Sequence, residues 1–246
     1  HTAYRRQRQM CIRDRYFTLN NNLSIEPRVA LKWKINPKHS LALAYGLHSR
    51  REKLDYYFVE KVVNGKNQSN RYLDFSRAHH VGMTYDWNIN QNLHLKIEPY
   101  FQYLFRIPVE KNSSFSVINH EEFYLDRILT NTGQGRNYGI DITLEQYMKN
   151  GFYYMITGSL FKSKYRGGDN VWRNTRLDKN YLLNLLAGKE WMVGKLKQNV
   201  LSLNGRLFFQ GGERYTPVNE ERSQTEHDIF FDETKAYSKR FNPSLP

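Results

Sequence analysis

The stretch that decides the fold runs from Asn137 to Tyr165, NYGIDITLEQYMKNGFYYMITGSLFKSKY. Ile140, Ile142 and Leu144 alternate with Asp141, Thr143 and Glu145. After Lys149-Asn150-Gly151 a second arm places Phe152, Tyr154, Ile156 and Leu160 on one parity, with Thr157 and Ser159 on the other. A period of two puts successive side chains on opposite faces of a sheet. Asn-Gly marks a tight turn, because both residues tolerate positive φ. Each arm is longer than the roughly 5–6 residues of an ordinary globular strand. Long arms, one apolar face, one polar face and a minimal turn are what a hairpin of a membrane-spanning barrel needs.

Three further hairpins repeat the pattern. Leu23, Ile25, Val29, Leu31, Trp33 and Ile35 share one face opposite Ser24, Glu26, Arg28, Lys32 and Lys34. Asn36-Pro37-Lys38-His39 then turns the chain into Leu41, Leu43, Tyr45 and Leu47. Val81, Met83, Tyr85 and Trp87 lead through Asn90-Gln91-Asn92 to Leu93, Leu95, Ile97, Phe101, Tyr103 and Phe105. The fourth pair spans Lys179 to Trp191 and Gln198 to Gly211. Long polar segments, Ser49–Phe75, Pro108–Gln134 and Arg166–Leu177, separate the hairpins, and the tail from Gly212 to Pro246 reads as loop-like. The expected fold is all-β: a partial, antiparallel up-and-down transmembrane barrel of about eight strands in four hairpins, with short turns at one end and long loops at the other.

Trp33, Trp87 and Trp191 each precede a short turn on the apolar face, and Phe152 follows one. Aromatic rings at one level suit an interfacial girdle, apolar in body with an N–H that seeks water or headgroups. Two prolines fit poorly. Pro27 and Pro99 sit inside strand patterns, each after an inward glutamate, in Ile25-Glu26-Pro27 and Ile97-Glu98-Pro99. Proline removes a ladder donor, so both sites read as bulges or interrupted pairing. Lys189 falls on the apolar parity near a short turn, where it can snorkel.

The 246-residue chain is 15% aromatic, with mean hydropathy −0.75. Its apolar runs are too short for the ~20 residues of a transmembrane helix. A formal charge of +13 invites nucleic acid or anionic partners. The cations are nevertheless scattered over wall and loops, and no nucleic-acid-binding motif is present. A single cysteine, Cys11, rules out a disulfide framework or thiolate metal site. Residues 1–15 contain RRQRQMCIRDR, which resembles read-through of a synthetic adapter. They are set apart as a non-native or artefactual segment, leaving 16–246 as the partial barrel domain, with strands to about 211.

No catalytic, metal or cofactor constellation emerges, and the chain is not read as an enzyme. His79 and His80 are adjacent on a strand and point to opposite faces. Asp141 and Glu145 stand four residues apart on one face, about 13 Å along a strand, too far for paired-carboxylate chemistry. Gly133-Gln134-Gly135 and Gly167-Gly168 lack a strand-to-helix setting for phosphate. Ser159 and Ser202 lack a nucleophile elbow.

Several segments carry a family resemblance: SIEPRVALKWKINPKHSLALAYGLHS, HHVGMTYDWNINQNLHLKIEPYFQYLFRIPVE, GRNYGIDITLEQYMKNGFYYMITGSLFKSKY and NGRLFFQGGERYTPV. Through them residues 19–246 resemble the C-terminal barrel region of TonB-dependent outer-membrane receptors of the Bacteroidetes type. The resemblance implies a segment of a 22-stranded barrel in a Gram-negative cell outer membrane, with a plug domain beyond this sequence. It further implies import of a scarce nutrient such as a siderophore or glycan, and contact with outer-membrane lipid and, through the plug, with the TonB complex. Ligand would be held by loops, where Tyr56, Tyr57, Phe58, Trp172 and Tyr215 are aromatic candidates for stacking. The ligand-binding residues themselves stay unassigned. A small structural or adhesive barrel and a soluble β-barrel or sandwich binding module are the alternatives.

Overall fold

The computed structural model describes residues 6–243 except Asn64, Phe123 and Lys197, with side chains from residue 11 onward. Residues 1–5 of the N-terminal segment and 244–246 of the tail lie outside the described residues. In chain order the strands are β1 (Arg6–Phe17), β2 (Asn22–Lys34), β3 (His39–Arg50), β4 (Glu60–Val63), β5 (Lys66–Ser69), β6 (Ser76–Asn88) and β7 (Leu93–Glu110). Then follow β8 (Leu129–Lys149), β9 (Phe152–Arg166), β10 (Trp172–Asn174), β11 (Tyr181–Val193), β12 (Asn199–Gln210), β13 (Arg214–Tyr215) and β14 (Lys239–Arg240). One short helix, α1 (Glu220–Glu226), lies in the tail.

The wall is a single antiparallel sheet in the order β1-β2-β3-β6-β7-β8-β9-β11-β12, with β10 continuing the pairing on β9. It does not close, and β1 and β12 are its edges. All four expected hairpins are present. β1 is the addition: it pairs with β2 from Arg6↔Trp33 to Phe17↔Asn22, although most of it falls within the segment 1–15 set apart on sequence. Ladder pairing uses main-chain groups, so an edge strand needs little apolar alternation of its own.

The quoted hairpin turns through Asn150 (φ 52°) and Gly151 (φ 71°). Positive φ at both central residues is the turn whose twist matches the strands. A Cβ on Gly151 would lie 2.3 Å from the Glu190 carbonyl oxygen, so the turn also packs against the next strand. A register shift between Gln146 and Lys149 places one bulge beside it. The amine of Lys189 donates to the Asn150 carbonyl at 2.6 Å, so this apolar-face lysine fastens to the turn.

Both prolines coincide with gaps in a ladder. β2–β3 pairing stops at Arg28↔Gly46, next to Pro27. There the Glu26 carboxylate takes over, accepting from the Ser49 N–H at 3.1 Å and its hydroxyl at 2.5 Å. β6–β7 pairing skips from Gly82↔Tyr100 to Tyr85↔Ile97, opposite Pro99, and Thr84 donates its hydroxyl to Glu98 at 3.1 Å. In each Ile-Glu-Pro unit the inward glutamate stitches a seam beside the proline.

The apolar face stays open: Leu43, Val81, Ile142, Ile156 and Leu203 are all exposed. His39 stacks with Tyr85 and Trp87 at the short-turn end. A second aromatic row runs through Tyr45, His79 and Phe105, with the Tyr45 hydroxyl 2.9 Å from His79 Nδ1. Trp87 and His79 are eight residues apart on β6, about 26 Å along the strand and comparable to the ~25 Å apolar band of a transmembrane barrel. Among the described residues no helix is long and apolar enough to cross a membrane.

β7 and β8 extend well beyond their expected ends, to 18 and 21 residues. Two register shifts near Arg106 (φ 55°) bend this overhang. The hydrophobic core sits at the same end: Tyr56, Tyr57, Leu73, Ile107, Val117, Leu125 and Leu129, with Phe17 and Leu104 packed against it.

Candidate functional site

The long segments fold together into a cap over the loop end of the wall. Leu54–Phe58 forms a 3₁₀ turn that buries Tyr56 and Tyr57. Burial raises the phenol pKa of Tyr57 above its ordinary value, an effect outweighing the hydrogen bond from the Glu52 N–H to its oxygen. The buried amide of Asn70 ties the first loop to the second, donating to the Arg127 carbonyl and accepting from the Leu129 N–H, both at 2.8 Å. Gly167-Gly168, read on sequence only as lacking a phosphate-loop setting, is a contact point. A Cβ on Gly168 would collide with the Glu110 carbonyl, and the Asp169 N–H donates to the Ser113 carbonyl at 3.2 Å. Arg173 grips Asp169 with two nitrogens at 2.9 and 2.6 Å. Burial pushes the Asp169 carboxyl up, but those bonds and the Val171 N–H bring it below its ordinary value.

The tail is not a free loop. β13 pairs with β14, and both dock on Asp178, which is fully buried. Arg214 Nε donates to Asp178 Oδ2 at 2.8 Å. Arg240 donates to the same oxygen at 3.3 Å and to the Asp178 and Lys179 carbonyls. Ser163 N–H donates to the other carboxylate oxygen at 3.0 Å. One carboxylate therefore joins β9 to both strands of the tail ribbon.

Between the second loop and this tail lies a cleft of about 770 Å³. Phe115, Tyr215, Phe231, Tyr237 and Phe241 supply its rings; Glu121, Arg176, Glu213 and Glu233 supply its charges. Arg176 sits between two carboxylates, bonded to Glu121 and, at 2.8 Å, to Glu213. Ser114 donates its hydroxyl to Glu233. A smaller hollow of about 500 Å³ lies on the wall's polar face over Ala30, Ala44, Gly46 and Gly82, flanked by His48 and His80 with ring centroids 4.4 Å apart.

Of the five aromatic candidates, Tyr56 and Tyr57 are core and unavailable to a ligand. Phe58 is exposed, outside the cleft. Trp172 lies under Arg136, 4.3 Å from its ring centroid. Tyr215 alone lines the cleft, stacked on Phe241 at 4.4 Å. His79 and His80 do separate to opposite faces, and His80 instead meets His48 from a different strand. Asp141 accepts from Ser159 across the β8–β9 ladder, a wall contact. Among the described residues no group of three or more His, Cys, Asp or Glu could hold a metal ion.

An open antiparallel wall with an exposed apolar face, a polar face and loops gathered at one end has the architecture of a partial β-barrel. No protein-family model and no curated protein matches the chain. Solved structures do, among them TonB-dependent outer-membrane receptors. Pseudomonas aeruginosa FpvA bound to a heterologous ferric pyoverdine superposes with a TM-score of 0.58 at 12% identity, covering 81% of this chain and 24% of the receptor. The ferric-catecholate import receptor Fiu of Escherichia coli K12 gives 0.57 at 8% identity, over 80% and 26%. The FrpB iron transporter of Neisseria meningitidis gives 0.54 at 10% identity, over 79% and 28%. The chain carries the fold of a wall segment from TonB-dependent outer-membrane receptors, and it spans about a quarter of their length.

Proposed function

We propose that the chain is part of the barrel wall and loop cap of a TonB-dependent receptor that imports a scarce nutrient across a Gram-negative outer membrane. The observation that carries this reading is the joint sorting of faces and ends: apolar side chains on one face, and every long connection at one end, over four-fifths of a superposition on such receptors. The open edges at β1 and β12 support it, because unpaired ladder groups are costly in lipid and call for further strands beside them. Lipid would bathe Ile142 and Leu203, the short turns would be periplasmic, and the cap would face outward. The polar face would meet the plug, through which TonB acts.

The test uses the full-length gene product in its own cells. It should fractionate with the outer membrane, require detergent for extraction, and confirm its role by nutrient uptake that stops when TonB is deleted. Recovery from a soluble fraction, or uptake indifferent to TonB, would sink the reading.

A further inference from the structure

The cap cleft has a lining that selects a chemical class. Its arginines are already paired: Arg176 with Glu121 and Glu213, Arg214 with Asp178 at 2.8 Å, Arg127 with Glu110 at 2.5 Å, while Glu122 and Glu233 add further negative charge to the lining. A strongly anionic ligand, such as a ferric chelate with net negative charge, gains little where each arginine already has its carboxylate. The rings are less committed. Phe231 is 56% exposed, and Phe241, 58% exposed, is backed by Tyr215 at an interplanar angle of 29°. Beside them two buried polar atoms have no protein partner, the amide nitrogen of Asn119 and Nε2 of His120. Asn119 is already held by its other end, its carbonyl oxygen accepting from the Arg176 N–H at 2.9 Å. Orphaned polar atoms beside a cleft await a partner from water or ligand.

We propose that this cleft binds a neutral, polyhydroxylated ligand, a short oligosaccharide. A sugar ring has a C–H face that lies flat on an aromatic ring, and an edge of hydroxyls that each donate and accept. Phe241 and Phe231 supply the platforms. Glu213, Arg176, Asn119 and His120 supply acceptors and donors beyond those used in their internal bonds. The volume of about 770 Å³ falls within the range of small-molecule sites. The inference rests on the receptor reading, which puts the cleft on the side from which ligands arrive.

The experiment takes the full-length receptor in detergent micelles and measures binding to an array of neutral oligosaccharides, with ferric-catecholate and ferric-hydroxamate chelates as comparison probes. At least one oligosaccharide should bind. Phe241→Ala and Asn119→Ala should each weaken it tenfold or more, while Phe58→Ala, outside the cleft, should leave it unchanged. Circular dichroism and the heat-shifted gel band of each variant identify any that fail to fold. Glu213→Gln, which keeps the side chain's shape, then supplies a second cleft variant, expected to weaken binding at least fivefold. Binding of ferric chelates alone, binding of nothing on the array, or oligosaccharide binding indifferent to all the cleft variants overturns the proposal. Those failures leave the receptor reading standing so long as the protein fractionates with the outer membrane and TonB-dependent uptake persists.

Discussion

The wall and the cap are built from the same chain by opposite rules. The wall keeps its apolar residues on the outside and its polar ones within, and its strands bury few side chains along most of their length. The cap has the apolar-inside order of a water-soluble domain, with Tyr56, Tyr57, Leu73 and Val117 buried together. On the proposed receptor reading the difference is one of solvent. A lipid-facing sheet needs main-chain hydrogen bonds and an apolar exterior, since hydrocarbon supplies no drive to bury side chains. A cap in water holds together only by burying a core. The two meet on β7 and β8, where Ile107 and Leu129 leave the wall pattern and join the core.

The comparison breaks most visibly at Tyr57. Tyr57→Ala should cost the cap about 3–5 kcal/mol, the range for deleting a large buried ring. Faster amide exchange in residues 51–75 and 111–128, with the wall's exchange unchanged, is the expected readout; equal loosening of both would merge the two regions. Next, Ile142→Arg should cost the wall about 2–4 kcal/mol on insertion into vesicles, while Thr143→Arg on the polar face costs far less. Equal penalties would remove the assignment of faces. Third, Asp178→Asn weakens the charged hydrogen bonds holding β13 and β14, about 2 kcal/mol in sum. Limited proteolysis should then cut residues 211–243 while the barrel stays intact.

Smaller effects sharpen the contrast. Gly151→Ala places a side chain at φ 71°, which alone costs about 1–2 kcal/mol, and presses its Cβ against the Glu190 carbonyl, so the turn must also part from β11, slowing hairpin closure rather than altering the cap. Finally, pH should act on the cap first. Tyr57 and Tyr237 are raised above the ordinary tyrosine value, chiefly by burial. Their contribution is present below that value, near pH 10, and is lost as pH climbs through their raised pKa values. Asp169 is lowered, so its contribution is present above the ordinary carboxylate range and lost as pH falls through its depressed value. Fluorescence of Trp172, beside this loop, should change at both extremes before the wall's circular dichroism does.

Wall and cap were unequally legible in the sequence. Alternation along Leu23–Trp33 or Ile140–Leu144 states the face of each residue within a few positions, because strand periodicity is local. The placement of Trp33, Trp87 and Trp191 within two residues of their strand ends was readable for the same reason. The upper row of Tyr45, His79 and Phe105 was not, since its members stand at different sequence distances from their turns. The cap was nearly invisible. Asp178 finds Arg214 and Arg240 at separations of 36 and 62 residues, and Asn70 finds Leu129 at 59. No short-range pattern encodes such pairings. Tyr56 and Tyr57 looked like ligand platforms because a loop aromatic and a core aromatic have the same composition. β1 was not expected because residues 1–15 were set apart on the adapter-like run RRQRQMCIRDR, and an edge strand shows little alternation to argue otherwise.

The paired Ile-Glu-Pro seams have a mechanical consequence. Between β2 and β3, and again between β6 and β7, main-chain rungs give way to a carboxylate reaching a hydroxyl. Side-chain links rotate where ladder rungs do not. Each seam is a local soft spot at similar distance from its turn, in a sheet whose ladders otherwise hold: β2–β3 keeps its rungs from Arg28↔Gly46 to Lys34↔Ser40, and β6–β7 resumes at Tyr85↔Ile97. A wall softened at two such points yields there before its unbroken rungs do, so strain across it can be taken up locally without parting a strand pair.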